Sequence, residues 1–218
     1  ILALREPSTL RDLMAAEKER TVNLAFHDRG ILMDADDPAG YRRVVHKVRH
    51  LDIPDKDECL SIVDRVLPED HPIRKHLADV AMTALKLAHA VPDPVNVDLV
   101  IAAALLHDIK RMEKDHAAAG ARLLRDLGFS RVAGVVDQHM DIELDPDAPI
   151  RETELVYFAD KLCNGHGLDL NYHLRFRNCL EKTPWAATSI WKRYENTRHI
   201  QARIEACTGQ SITDILAD

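Results

Sequence analysis

From Asp57 onward apolar residues recur at three- and four-residue steps, separated by the caps and stops typical of helices. The pattern predicts helices over Asp57 to Leu67, Pro72 to His89, Asn96 to Arg111, Asp115 to Leu127, Ser130 to His139 and Glu152 to Asn164. In the second, Leu77, Val80, Ala81, Ala84, Leu85 and Ala88 line up as one buried stripe. The third is apolar all round from Leu99 to Leu106, as a central helix should be. Gly128 is placed to stop one helix and Ser130 to cap the next. Asn171 to Leu180, Pro184 to Ala206 and Ser211 to Leu216 add further helices, and no segment after Asp55 alternates with period two. The expected class is all-α.

The first fifty residues read differently. Ser8 is placed to cap a helix from Thr9 to Lys18, with Leu10, Leu13 and Met14 on one face. The apolar run from Gly30 to Met33 enters an acidic stretch as a strand end or extended segment would. Asp37 and Pro38 then supply the N-cap and first position of a helix towards His50. Leu51-Asp52-Ile53-Pro54 breaks the pattern, because the residue before proline is driven out of the helical region. The expected division is residues 1–50 and residues 55–218.

Composition narrows the function. The 218 residues are 46% hydrophobic and 30% charged with a formal net charge of -7, which excludes disorder and gives no global field to hold a nucleic acid duplex. The longest apolar run, Leu99 to Leu106, falls far short of the roughly 20 residues of a membrane-spanning helix. Cys59, Cys163, Cys179 and Cys207 lie far apart without a CxxC and read as reduced thiols of a cytoplasmic protein. The chain opens Ile-Leu-Ala-Leu with neither an initiator Met nor a targeting pattern, and reads as a piece of something longer. The 12 histidines are where chemistry is to be sought.

His107 and Asp108 emerge together from the apolar helix Ala-Ala-Ala-Leu-Leu-His-Asp-Ile-Lys. An ionised carboxylate in dry surroundings costs several kcal/mol unless it is paired or metal-bound, and a metal would satisfy both side chains. Upstream, His76 sits in an amphipathic helix. Downstream, His116 precedes Ala-Ala-Ala-Gly-Ala, His139 ends Val-Val-Asp-Gln-His, and Asp160 lies in Val-Tyr-Phe-Ala-Asp-Lys-Leu. His71 competes with His76 for the upstream place, but only His76 is followed by Val-Ala-x-x-Ala-x-x-x-Ala at the right spacing. His27, His46, His50, His89, His166, His173 and His199 read as surface or helix-end residues.

In this order and context the chain, over about residues 55–170, resembles the HD-domain metal-dependent phosphohydrolase superfamily. The resemblance implies a helical bundle in which His76, His107, Asp108 and Asp160 ligate one ion. His116 and His139 hold a second, with Asp108 bridging. Imidazole mixed with carboxylate suits Fe, Mn, Co, Ni or Zn better than Ca or Mg. The implied reaction is hydrolysis of a nucleotide or other small phosphate ester or anhydride by a metal-activated water. Arg111, with Lys161 second, is the expected phosphate contact, although Lys110 and Arg111 stand where the family commonly has Gly and Lys. Arg175 and Arg177 either reach over the mouth or form a helix face. The alternatives are a nucleotide-sensing regulatory module without turnover and a di-iron oxygenase using the same ligands.

The run from Gly30 to Val44, with Leu10-Arg11-Asp12-Leu13 before it, looks like the close of a molybdenum-cofactor-type nucleotidyltransferase domain. That likeness implies an N-terminal nucleotidyltransferase in the full-length protein, the present residues lacking its glycine-rich nucleotide loops.

Overall fold

The computed structural model describes residues 9–22 and 27–217. Several helices begin where a side chain satisfies the free N–H groups of the first turn. Thr9 caps α1 (Leu10–Ala16) in a reciprocal pair with Asp12, whereas Ser8, the expected cap, lies outside the described residues. Asp37 accepts from the Gly40 N–H at the start of α2 (Pro38–Arg49), with Pro38 in the first turn. Asp55 and Glu58 form a second reciprocal pair on α3 (Lys56–Val66). After α4 (Ile73–Ala90), Asn96 caps α5 (Val97–Leu106).

Four expectations are corrected. No strand forms at Gly30 to Met33; a 3-10 turn over Arg29–Leu32 replaces it, with Asp28 accepting from the Gly30 N–H. A lone strand would leave its backbone unpaired, whereas the turn bonds to itself. The central helix stops at Leu106 rather than Arg111, and Ile109, Arg111 and Glu113 instead donate three residues back in tight turns. After α6 (His116–Asp126), Ser130 is the first residue of α7 (Ser130–Asp137) and not its cap, the preceding position being Phe129. Finally, α8 (Glu152–Leu162) gives way before Asn164 to a two-residue antiparallel ladder, β1 (Cys163–Asn164) with β2 (Gly167–Leu168).

The expected all-α bundle forms around α5, which packs against α3, α4, α7 and α8. From Leu99 to Leu106 only Ile101 keeps partial exposure, so a uniformly apolar stretch has apolar neighbours on nearly every side. The chain is completed by α9 (Tyr172–Lys182), α10 (Ala187–Thr208) and α11 (Ile212–Leu216); α10 lies on α8 and α9, and α11 on α4. Gly128 has a φ of 91°, the left-handed turn expected after α6. Gly120 serves a different purpose, since a Cβ there would stand 3.3 Å from Val136 Cγ1 and 3.4 Å from Ile109 Cγ2. Its absence lets α6 lie close to α7 and to the turn after α5.

The segment before Pro54 is fastened through Glu58, which is fully buried. Its carboxylate accepts from Lys47 Nζ at 2.5 Å and from the Arg29 backbone N–H at 2.6 Å. No described helix is long and apolar enough to cross a membrane. All four cysteines are free thiols. Cys59 and Cys163 are buried, and burial pushes the Cys163 thiol up to about 11 and Cys59 higher still. Iodoacetamide at mildly alkaline pH is therefore expected to modify exposed Cys179 and Cys207 in the native protein and spare the other two until denaturant is added. Peptide mass mapping reads the outcome.

Candidate metal centre

Five separate stretches of chain deliver the six expected ligand side chains to one place. His76 comes from the first turn of α4, and His107 and Asp108 from the tight turn that ends α5. His116 opens α6, His139 follows α7, and Asp160 lies in the last turn of α8. The imidazoles form a continuous row, with ring centroids 5.2 Å apart for His76 and His107, 5.1 Å for His107 and His139, and 5.1 Å for His139 and His116.

Asp108 divides this row in two. Its Oδ2 lies 3.7 Å from His107 Nε2 and 4.0 Å from His76 Nε2. Its Oδ1 lies 3.2 Å from His116 Nε2 and 3.3 Å from His139 Nε2. His76, His107 and Asp108 thus form one group able to hold an ion, and Asp108, His116 and His139 form another. Asp160 Oδ1 adds to the first group at 3.1 Å from His76 Nε2 and 3.5 Å from His107 Nε2.

The hydrogen bonds behind these rings decide what their inner nitrogens offer. His107 Nδ1 donates to the Ala104 carbonyl at 2.8 Å, and His139 Nδ1 to the Val136 carbonyl at 2.7 Å. A carbonyl only accepts, so each Nδ1 carries a proton, and in its neutral form each ring turns an Nε2 lone pair inward. The buried His107 Nε2 has no hydrogen-bond partner among the described residues. A lone pair facing two carboxylates is repelled unless a cation lies between them, and this orphaned nitrogen is the clearest sign that the residues fit a metal.

The charges agree. Burial opposes ionisation of Asp108, but His139 and His107 hold its carboxyl well below the usual range. Burial is likewise outweighed at Asp160 by Lys161, His107 and His76. Burial would lower His107, yet Asp160 and Asp108 hold it above the ordinary histidine value. Burial dominates at His116 and His139 and pushes both down. Near neutral pH the site therefore carries two carboxylates with neutral His116 and His139, the states in which these groups ligate, while His107 favours a proton that a bound ion would displace.

Residues 73–165 match the HD domain family, and the chain is 33% identical over 129 residues to an uncharacterized protein of Methanocaldococcus jannaschii, covering 50% of this chain and 75% of that one. The chain belongs to the HD-domain family. It is also 33% identical over 130 residues to a tRNA (cytidine(56)-2'-O)-methyltransferase of Thermoplasma volcanium, covering 52% of this chain but only 38% of the methyltransferase. No solved structure matches the chain.

The HD centre opens into a cleft of about 530 Å³ bordered by His71, Arg111, Met140, Lys161, Asn164 and Arg175. Arg111 stands at the second ligand group, its guanidinium 3.4 Å from Asp108 and 3.3 Å from His116 Nε2. Lys161 is more committed than the sequence suggests. Its buried Nζ donates to Asp160 Oδ2 at 2.6 Å and to the His139 carbonyl at 3.1 Å, tying the two ligand groups together. Arg175 and Arg177 part company: Arg175 lines the HD cleft but spends its donors on the Lys161 and Cys163 carbonyls, and Arg177 faces a different cleft. Several histidines set aside from sequence have other partners, such as Ser61 for His27 and each other for His46 and His50. His71 is on the cleft wall, with Nδ1 accepting the Ile73 N–H, so a neutral ring carries its proton on Nε2. Met140 and Asn164 went unread as wall residues, because only the packing of the loop after α7 and of the ladder after α8 brings them beside the ligands.

Proposed function

We propose that the chain is a metal-dependent phosphohydrolase acting on a nucleotide or another small phosphate ester or anhydride. The observation that carries this reading is the divided carboxylate of Asp108, with two imidazoles at each oxygen. His76, His107, Asp108 and Asp160 would hold one ion, and His116 and His139 with the shared Asp108 a second. Two divalent transition ions there, Fe, Mn, Co, Ni or Zn, would supply Lewis acidity and lower the pKa of a bound water. The chain's own part is to position and to neutralise. Ala104 and Val136 fix the ring orientations, and Lys161 holds Asp160 turned towards His76 and His107. Arg111, half exposed at the mouth, is placed to meet a phosphate oxygen and offset charge that grows during in-line displacement. A cleft of about 530 Å³ accommodates a nucleotide-sized ligand.

The test supplies each of the five metals with nucleoside mono-, di- and triphosphates and measures phosphate release. Release with at least one metal, lost with chelator and restored by the ion, is expected; no release under any metal overturns the reading. A second reading is a nucleotide-sensing module attached to a separate transferase, favoured by the small share of the Thermoplasma methyltransferase that the chain covers. Tight nucleotide binding without turnover would select it. Iron loading with oxygen uptake and no phosphate release would instead select the oxygenase chemistry. For residues 1–50, we infer the close of a nucleotidyltransferase-like domain from the run Gly30 to Val44, in which a 3-10 turn replaces the expected strand.

A further inference from the structure

The hairpin of α9 and α10 concentrates aromatic residues that the metal centre does not use. Both tryptophans of the chain lie here, with Tyr172, Phe176 and Tyr194. Trp185 is 83% exposed and Trp191 51% exposed, far more than packing alone would leave to large aromatic rings. Between the helices runs a cleft of about 510 Å³, bordered by Phe176, Arg177, Leu180, Trp191 and Tyr194. Its rings hold one another edge to face, with centroids 5.6 Å apart for Trp191 and Tyr194 and 5.5 Å for Tyr194 and Phe176. The Tyr194 hydroxyl is fixed by His173 Nδ1 at 3.1 Å.

The same hairpin reverses the charge of the protein. In a chain of net charge -7, Arg177, Lys182, Lys192 and Arg198 are all exposed on these two helices, with only Glu181 and Glu195 between them. Arg198 lies over the Tyr194 ring at 5.8 Å and pairs only loosely with Glu195, at 3.6 Å. Flat rings beside exposed guanidinium groups match a ligand that alternates flat bases with phosphates. Stacking requires bases free of a duplex, which separates this ligand from the double helix that the overall charge disfavours. A second copy of the chain fits poorly, because a self-complementary contact would set Arg177 and Arg198 against the same residues of the other copy.

We propose that the α9–α10 hairpin binds single-stranded nucleic acid, with bases stacking on Trp191 and Tyr194 and phosphates meeting Arg177 and Arg198. Trp185 and Trp191 are the only tryptophans, so tryptophan emission, excited selectively over tyrosine, reports on this hairpin alone. Titrating the full chain with an oligouridylate dodecamer at low salt is expected to quench that fluorescence saturably. Trp191→Ala is expected to weaken binding, followed by the anisotropy of a labelled dodecamer, by about tenfold or more. Arg177→Glu with Arg198→Glu, both at exposed positions, should weaken it at least as much and flatten its salt dependence. Asp108→Ala should leave the affinity unchanged, separating this face from the HD centre, and circular dichroism verifies that each variant is folded. Absence of binding, or an unchanged affinity in Trp191→Ala, overturns the proposal. So does uridine monophosphate binding as tightly as the dodecamer, which would make the cleft a small-molecule site. Concentration-dependent doubling of mass in sedimentation, abolished by Trp191→Ala, would assign the face to a second copy and equally overturn it.

Discussion

Replacing Asp108 by Asn is expected to strip the centre of both ions at once. The substitution keeps the shape of the side chain but removes the charge that four imidazoles now share, two at each oxygen. Metal analysis of the purified variant should fall from two equivalents to well under one. If the proposed hydrolysis holds, phosphate release should fall on the order of 10³-fold or more, since two such ions would account for several kcal/mol of transition-state stabilisation. Single-sided variants sharpen the test. His139→Ala removes a ligand of the second group only and should leave one equivalent, and His76→Ala should deplete the first in the same way. Full loading of the Asn variant would show that Asp108 bridges nothing and would remove the basis of the dinuclear reading.

Glu58→Ala should produce the largest loss of stability. Glu58 is fully buried and binds Lys47 Nζ, the Arg29 N–H and the Asp55 N–H, so one side chain joins α2, the 3-10 turn and the start of α3. Removing it leaves Lys47, whose side chain is only 12% exposed, with just the longer contact to Asp28 at 3.8 Å. Breaking a buried ion pair from one side costs roughly 3–5 kcal/mol. For a chain of this size each kcal/mol moves the melting temperature by about 2–4 °C, so a fall near 10 °C is expected by calorimetry. Limited proteolysis should cut first within residues 27–50 while metal uptake survives, because no ligand of the HD centre lies there. A melting point within a degree or two of the parent would mean that the pair contributes nothing net.

The helices were largely legible because local features specify them. Asp37 with Pro38 and Gly128 mark helix ends through short-range bonds and backbone preference, and most of the stripe on α4 follows from periodicity, with Leu87 buried where Leu85 was expected. The failures fall where distant partners decide. Whether Gly30 to Met33 becomes a strand depends on a neighbouring strand, which no local pattern supplies, and the described residues hold a 3-10 turn instead. The early end of α5 was hidden because Ile109 keeps helical spacing from Leu105 and Leu106 while the backbone tightens to turn His107 and Asp108 inward.

The candidate site divides in the same way. Which residues are candidates for the chemistry follows from sequence order and residue type: an imidazole, the His-Asp pair, two more imidazoles and a carboxylate, each in an apolar or helical context. Which oxygen of Asp108 faces which imidazoles, that His107 Nε2 is orphaned, and that Lys161 holds Asp160 and the His139 carbonyl were decided by packing. So was the parting of Arg175 from Arg177, two residues apart on one helix yet lining separate clefts. Residue type determines what a group can donate, accept or ligate. Only the close approach of five chain segments, helped by a missing Cβ at Gly120, determines what each group meets.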